Sequence, residues 1–281
     1  GKIEPGETPY HALVRELREE LGIEIETAYP WITRVYAYPH PTVRLNFFRV
    51  TEWRGELHPH EGQEFAWQLP LSLTLSHEGE RGQVSPMLPA NAPILRALEL
   101  PSLYAISNAA ELGAEEFLRR LEVALNNGLR LVQLREKSMP HDELRELARR
   151  VTALAHAHGA KVLLNADVEL VQEVGADGVQ LTAAQLAGLR ERPAVDWCAA
   201  SCHNAEELRH AEASGCDFAL LSPVLPTLSH PGAPHLGWEN FAAIAAGSSI
   251  PVYALGGLTP GDMQAAWQHG AHGISLLRQA W

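Results

Sequence analysis

Three glutamates near the start of the sequence are spaced so that one face of a helix would carry them all. Glu16, Glu19 and Glu20 lie three and four residues apart in the segment VRELREELGI, and residues at such intervals are neighbours on a helix surface. Like charges this close repel one another. A divalent cation converts the repulsion into coordination, because carboxylate oxygens are the hard ligands that Mg²⁺ and Mn²⁺ prefer. An acidic, solvated helix face is the alternative explanation.

The stretch that contains this helix resembles the Nudix box, GX5EX7REUXEEXGU, at each of its nine specified positions. The resemblance implies that Mg²⁺ (or Mn²⁺) is bound by the three glutamates and that metal-activated water attacks a pyrophosphate. It assigns this chemistry to Glu7, Arg15, Glu16, Glu19 and Glu20, with Glu7 and Arg15 holding the loop against the helix. Nudix domains ordinarily have strands ahead of the box, so we expect the first strands of the domain to lie outside this sequence.

The same part of the chain is similar to the MutT branch of the Nudix family, the 8-oxo-dGTP diphosphatases. The similar segments are GKIEPGETPYHALVRELREELGI, WRGELHPHEGQEFAWQLP and PMLPANAPILRAL. The similarity implies a small-molecule nucleotide, bound by Lys2 and Asn91 and hydrolysed to the monophosphate and pyrophosphate. An amide both donates and accepts hydrogen bonds, as recognition of a purine edge requires; a helix cap is the alternative role of Asn91. Glu61 or Glu64 could add an acidic ligand, and thiamine-related pyrophosphates are the alternative substrates.

In the second part of the chain, polar residues recur where apolar, strand-like runs end. The carboxyl ends of parallel barrel strands meet at one rim, where the active site lies. The residues expected there are Gln133, Arg135, Lys137, Asn165, Ser201, His203, Thr227, Ser229, Gly256, Gly257 and Ser275. Basic groups, hydroxyls and bare glycine amides can hold a phosphate, and a histidine suits a proton shuttle. A plain turn at the glycine pair and an ordinary rim histidine are the alternatives.

This part resembles thiamine phosphate synthase over nearly its whole length, in YAISN, QLREK, LLNADVELVQEVGADGVQL, SPVLPT and IPVYALGGL. Three positions depart from that family. Ala166 and Gln185 stand where the synthases have aspartates that hold Mg²⁺, and His230 replaces a lysine that binds pyrophosphate. Because anionic ligands are missing, we expect weak binding of Mg-pyrophosphate and no synthase activity.

Two further segments, SCHNAEEL and HLGWENF, are similar to the thiazole tautomerase (TenI) branch of the same superfamily. That branch needs no metal, and the similarity implies that His203 is its catalytic residue. A barrel that only binds a thiazole or thiamine phosphate, as a sensor, remains the alternative.

The elements that would position these residues follow from the sequence pattern. Thr8, Pro9 and Gly22 are suited to cap, begin and end the first helix. The segments ITRVYAYPH and TVRLNFFRVTEWRG alternate like the two strands of a hairpin. We expect a further strand in EFAWQLP, a loop over 73–85 and a short helix in ANAPILRALEL.

From Ser102 onward, eight apolar runs alternate with amphipathic helical segments, which predicts a parallel (β/α)8 TIM barrel lacking its last helix. The predicted fold class is therefore α/β and α+β. A partial Nudix α/β/α domain is expected over residues 1–99, followed by the barrel over residues 100–281.

Composition limits the partners that the protein can have. The 281 residues are 46% hydrophobic and carry a net charge of −12, and both parts of the chain are acidic. We therefore expect no nucleic acid duplex and no anionic membrane as partner. The three cysteines are too few for a disulfide framework, which favours a cytoplasmic location, and no apolar run is long enough to span a bilayer.

Overall fold

The computed structural model describes residues 1–60, 89–227, 232 and 234–281. Within these ranges, none of the helices combines the length and the apolar character that crossing a membrane requires.

The first compact unit, Gly1–Glu99, opens with the predicted helix. Helix α1 spans Pro9–Leu21, and the Thr8 hydroxyl accepts a hydrogen bond from the His11 amide at 3.2 Å. Gly22 ends the helix in the left-handed conformation, with φ 69°. The three signals that predict this helix are therefore confirmed.

A long antiparallel hairpin follows, formed by β1 (Glu24–Ala37) and β2 (Thr42–Arg54). The hairpin is confirmed, but β1 begins before the segment in which the pattern placed it. Pro30 obscures the alternation, because proline cannot donate to a strand ladder, and the register shifts between Pro30 and Thr33. Cross-strand bonds still hold the early part of β1: the Thr27 hydroxyl donates to the Glu52 carboxylate at 2.6 Å.

A 3-10 turn (Pro89–Asn91) and helix α2 (Ala92–Leu98) confirm the predicted short helix. Ile94 and Ala97 of α2 pack with Ile32 of β1 in a small buried cluster. The strand expected in EFAWQLP and the loop expected over 73–85 lie outside the described residues.

The second compact unit, Leu100–Trp281, is a closed barrel of eight parallel strands. Its strands are β3 (Leu103–Ile106), β4 (Leu131–Leu134), β5 (Lys161–Asn165), β6 (Gly178–Leu181), β7 (Trp197–Cys202), β8 (Phe218–Leu221), β9 (Val252–Leu255) and β10 (Gly273–Leu276). They follow one another in chain order around the barrel, and β10 closes it by pairing with β3. All eight predicted strands are thus confirmed.

Helices connect these strands on the outside of the barrel. They are α3 (Ala109–Leu112), α4 (Ala114–Asn126), α5 (His141–Ala157), α6 (Val168–Val174), α7 (Ala183–Ala187), α8 (Ala205–Ala213), α9 (Gly237–Ala245) and α10 (Met263–Gln268), with a 3-10 turn before α10 (Pro260–Asp262). A 3-10 turn, Arg278–Ala280, follows β10. The prediction of a TIM barrel is confirmed.

Side chains fill the barrel interior. Tyr104, Trp197, Phe218 and Tyr253 are fully buried in one cluster, and a larger apolar cluster packs between the strands and the surrounding helices. Because the interior is packed, as in other barrels of this kind, the room for a ligand is at the rim.

Candidate active site

A cavity of about 510 Å³ opens at the carboxyl ends of the barrel strands. Ten of the predicted barrel residues line it: Gln133, Arg135, Lys137, Asn165, Ser201, His203, Thr227, Gly256, Gly257 and Ser275. Ser229 and His230 lie outside the described residues. The structure thus brings together, in one cavity, residues that six of the strands and their loops contribute.

Two cations face the cavity from the end of β4. The Arg135 and Lys137 side chains form no hydrogen bond or ion pair with any described residue. Partial burial lowers the pKa of Arg135, and the charge of Arg135, followed by burial, lowers the pKa of Lys137. Both shifts disfavour the charged forms of these side chains, and an anionic ligand beside them would offset that effect.

The acidic residue between these cations is already engaged. Glu136 is buried, and its carboxylate accepts hydrogen bonds from the Ser107 hydroxyl at 2.5 Å and from the Ala109 and Ala110 amides at 2.8 Å. It therefore holds the start of α3 in place, and its charge partly offsets the effect of burial on the pKa of Arg135.

The glycine pair after β9 is packed tightly against the loop after β8. Gly256 and Gly257 have φ values of 105° and 70°, a region that residues with a Cβ rarely adopt. An added Cβ on Gly257 would lie 2.3 Å from the Pro226 carbonyl oxygen, and one on Gly256 would lie 2.7 Å from Pro223. Only glycine fits at both positions, so this wall of the cavity is bare backbone.

Gln133 and Ser201 line the cavity with an amide and a hydroxyl group, and Gln180 contacts Ser201. Gln133 is 1% exposed, and its Oε1 has no hydrogen-bond partner among the residues described. Gln180 is fixed, because its Oε1 accepts from the Tyr104 hydroxyl at 3.2 Å and its Nε2 donates to Ser201 Oγ at 3.2 Å. A buried acceptor without a partner is costly, so Gln133 is suited to a ligand that donates a hydrogen bond.

The loop after β5 differs from a carboxylate metal site. Ala166 has φ 65°, and Gln185 is tied to it: Gln185 Nε2 donates to the Ala166 carbonyl at 2.8 Å, and Gln185 Oε1 accepts from the Thr182 amide at 3.1 Å. The neighbouring Asp167 caps α6 by accepting from the Leu170 amide at 2.8 Å. These groups do not suit a Mg²⁺ ion, since the two side chains that would have to bind it are a methyl and an amide already in use.

His203 stands at the end of β7, half exposed, with its ring held by a carboxylate. Its Nδ1 lies 2.9 Å from Glu207 Oε2, and its backbone amide donates to the same oxygen at 2.7 Å. Its second ring nitrogen, Nε2, has no hydrogen-bond partner in the described part of the chain. Sequence reasoning missed Glu207, although its position four residues after His203 at a helix start is a signal that could have found it.

In the first unit, Arg15 is the centre of the carboxylate cluster. Its guanidinium donates to both Glu7 oxygens, at 3.0 and 3.1 Å, to Glu16 at 2.8 Å and to Glu19 at 3.2 Å. It also donates to the Lys2 carbonyl at 3.0 Å. The Arg15 hydrogen bonds lower the pKa of Glu7 and of Glu16. The structure therefore ties the loop to the helix through this arginine.

The Nudix resemblance implies a divalent metal ion at these residues. Carboxylates are the right donors for Mg²⁺, and Glu16 and Glu19 converge on one nitrogen of Arg15. In the described ranges, however, no group of three or more acidic, histidine or cysteine side chains is arranged to hold a metal ion. The donor chemistry fits a divalent cation, and the carboxylates are engaged by arginine in this arrangement.

Asn91 immediately precedes α2, and its side chain makes no capping hydrogen bond there. Asn91 thus occupies the N-cap position without a side-chain capping bond, and its role in nucleotide binding stays a prediction. Glu61 and Glu64 lie outside the described residues.

The closed barrel and the polar cavity at its rim define the second unit as a (β/α)8 barrel that binds a small ligand. Comparison with protein families is more specific. The model of the family described as thiamine monophosphate synthase matches residues 103–280, and the chain belongs to that family. A model described as NUDIX domain matches residues 1–88, so the chain joins the two domains that its sequence resembles.

The similar proteins of known name cover the barrel. The "Putative thiamine-phosphate synthase 2" of Aquifex aeolicus is 38% identical over 180 residues, which are 63% of this chain and 96% of that protein. The thiamine-phosphate synthase of Thioalkalivibrio sulfidiphilus is 32% identical over 184 residues, 63% of this chain and 86% of that one. The solved thiamine phosphate pyrophosphorylase of Pyrococcus furiosus has a TM-score of 0.54 at 27% identity, covering 63% of this chain and 85% of its own.

Proposed function

We propose that the barrel binds a small phosphorylated heterocycle, such as a thiazole phosphate, and moves a proton on it without a metal ion. Two features of the rim support the proposal. His203 lines the cavity, and its Nε2 has no hydrogen-bond partner among the described residues, whereas Ala166 and Gln185 offer no anionic metal ligand. The names of the relatives point to a ligand of thiamine synthesis, and this contrast points to a reaction other than the synthase reaction.

The basic side of the cavity would bind the phosphate. Arg135 and Lys137 supply positive charge, and the backbone at Gly256 and Gly257 lets an anion approach closely. A phosphate held there leaves the heterocycle within the same cavity as His203. Gln133 Oε1, which has no partner in the part of the chain that the structure describes, would accept a hydrogen bond from the ligand.

The proton transfer needs one base and no co-reactant. His203 Nε2 would take a proton from one ring carbon, and the electron pair of that C–H bond would enter the π system of the heterocycle. The imidazolium would then return the proton to a second carbon. The product is an isomer of the substrate, and a positioned histidine typically contributes a rate factor of about 10²–10⁴ to such a step.

Deuterium exchange tests this proposal. In D₂O, the full chain should catalyse deuterium incorporation into a thiazole phosphate tautomer, followed by proton NMR, and His203→Ala should lose it. His141→Ala is the matched control, because His141 is an exposed histidine outside this cavity. Mg²⁺-dependent formation of thiamine phosphate from pyrimidine pyrophosphate and thiazole phosphate would contradict the proposal. Ligand binding without exchange would indicate a sensor.

We further propose that residues 1–99 form a Nudix domain that hydrolyses a nucleoside triphosphate, such as 8-oxo-dGTP, and that the barrel occupies residues 100–281. The hydrogen bonds from Arg15 to Glu7, Glu16 and Glu19 support this proposal, because they join the residues of the Nudix box in one cluster. When bound, Mg²⁺ (or Mn²⁺) would activate water and neutralise the leaving pyrophosphate. Glu16, Glu19 and Glu20 would hold it.

Pyrophosphate release separates the possibilities for this domain. With Mg²⁺ and 8-oxo-dGTP, Glu19→Gln should lower turnover by orders of magnitude, whereas Glu56→Gln, an exposed glutamate outside the cluster, should not. Equal activity of Glu19→Gln would refute the assignment. Hydrolysis of thiamine-related pyrophosphates instead of the nucleotide would show that the alternative substrate class is the right one. Hydrolysis of neither would mean that this domain is inactive.

A further inference from the structure

Glu207 occupies a position that a helix cap alone does not explain. It lies in the first turn of α8, where Asn204 caps the helix by accepting a hydrogen bond from the Glu207 amide at 2.9 Å. The carboxylate reaches back over this cap. One oxygen accepts from Asn204 Nδ2 at 3.0 Å, and the other accepts twice from His203.

These contacts determine which nitrogen of His203 carries the proton. An ionised carboxylate can only accept hydrogen bonds, so Nδ1, at 2.9 Å from Glu207 Oε2, must be the donor. In the neutral imidazole the other nitrogen, Nε2, then has a free electron pair. Because the carboxylate also bonds to the His203 backbone amide at 2.7 Å, it fixes both the ring and the chain that carries it.

We propose that Glu207 is a positioning residue that selects the Nδ1–H tautomer of His203 and so makes Nε2 the base at the cavity. The catalytic consequence rests on the proposed proton transfer; the tautomer assignment rests on the contacts alone. Glu207 itself does not line the cavity, whereas His203 does. Its role is therefore exerted through the histidine, as carboxylates commonly orient histidines in active sites.

The test uses variants of two adjacent glutamates in the full chain. Glu207→Ala removes the carboxylate from His203, and Glu207→Gln retains an oxygen that can cap and accept. Glu206→Ala is the matched control, since Glu206 lies in the same turn of α8, has the same charge and is exposed. Thermal melting of all variants checks that they are folded.

The main readout is the nitrogen NMR spectrum of the imidazole, assigned by the signals that disappear in His203→Gln. We expect protonated Nδ1 and unprotonated Nε2 in the parent and in Glu206→Ala. In Glu207→Ala the proton should move to Nε2. If the tautomer in folded Glu207→Ala equals that of the parent, the proposal is wrong. If Glu207→Ala does not fold, the parent and Glu207→Gln decide: a parent histidine protonated on Nε2, with the same signal in Glu207→Gln, would overturn the proposal.

The second readout is deuterium exchange into the thiazole phosphate. Glu207→Ala should lower kcat by about 10–100-fold, as loss of orienting partners typically does, with little change in KM. A purely structural role would change melting but not the tautomer. If the parent catalyses no exchange while the tautomer shifts as expected, the proposed reaction fails and the positioning role of Glu207 stands.

Discussion

Replacing Ala166 by glycine should stabilise the barrel. Ala166 is held at φ 65° by two hydrogen bonds of its own backbone: its amide donates to the Gln180 carbonyl at 3.0 Å, and its carbonyl accepts from Gln185 Nε2 at 2.8 Å. The left-handed region costs a residue with a Cβ roughly 1–2 kcal/mol. Because both ends of the residue are tied, it cannot relax out of this conformation.

The expected gain is the difference between two effects. Glycine removes the strain but increases the freedom of the unfolded chain, which costs about 0.4–1 kcal/mol. The net free energy of unfolding should therefore rise by about 0.5–1 kcal/mol, or about 1–4 °C in Tm for a domain of this size. Differential scanning calorimetry of the full chain measures the shift.

Ala153→Gly is the matched control with the opposite sign. Ala153 is exposed within α5, where glycine costs about 1 kcal/mol relative to alanine. It should lower the Tm of the barrel by about 2–4 °C, which also identifies the transition that belongs to the barrel. A fall in Tm for Ala166→Gly of the same size as for Ala153→Gly would refute the argument, because it would mean that position 166 is not left-handed.

Three further outcomes are expected. Ala166→Asp combined with Gln185→Asp should give the barrel measurable Mg²⁺ affinity by isothermal titration calorimetry. If the titration of this double variant shows no more heat than a titration into buffer, the loop cannot form a metal site. Arg135→Gln should raise the pKa of Lys137 towards its usual value, because the charge of Arg135 is the largest cause of the lowered pKa. In the parent, Lys137 loses its proton at a lower pH in the folded state than in the unfolded state. The folded state therefore gains stability as pH rises from the lowered pKa of Lys137 towards its usual value. Lysine nitrogen NMR measures this shift, and no change in Arg135→Gln would contradict it. Burial raises the pKa of Cys202 to about 12, so iodoacetamide at pH 8 should label it only after unfolding, as mass spectrometry would reveal.

The barrel was predictable because its strands are short, mostly apolar runs separated by amphipathic helices. Segments such as RLVQLRE and KVLLNA become buried parallel strands, as their predominantly apolar centres indicate. The hairpin of the first unit was less predictable at its beginning. Pro30 and the polar residues Glu24, Glu26 and Thr27 before it resemble a loop, and only the pairing with β2 shows that they belong to a strand.

The sequence could predict which residues of the candidate site share the rim, because the carboxyl ends of the strands meet there regardless of side-chain conformation. What the side chains do depends on local geometry that has no sequence pattern. In the sequence, Gln185 is only a substitution in a motif. The structure shows that its amide binds the carbonyl of Ala166, which is in the left-handed conformation. The tautomer of His203 likewise depends on the rotamer of Glu207, which spacing along the chain suggests but does not determine.

The pairing of β10 with β3 has a consequence for how the protein is made. Ile274 lies opposite Leu103 in the closing ladder, so the barrel cannot close until nearly the whole second unit has left the ribosome. Contacts between residues so far apart in sequence form slowly. During synthesis, β3 therefore waits with an unpaired edge, the state in which strands most readily associate with other chains. A chaperone that covers this edge would protect the nascent barrel from such association.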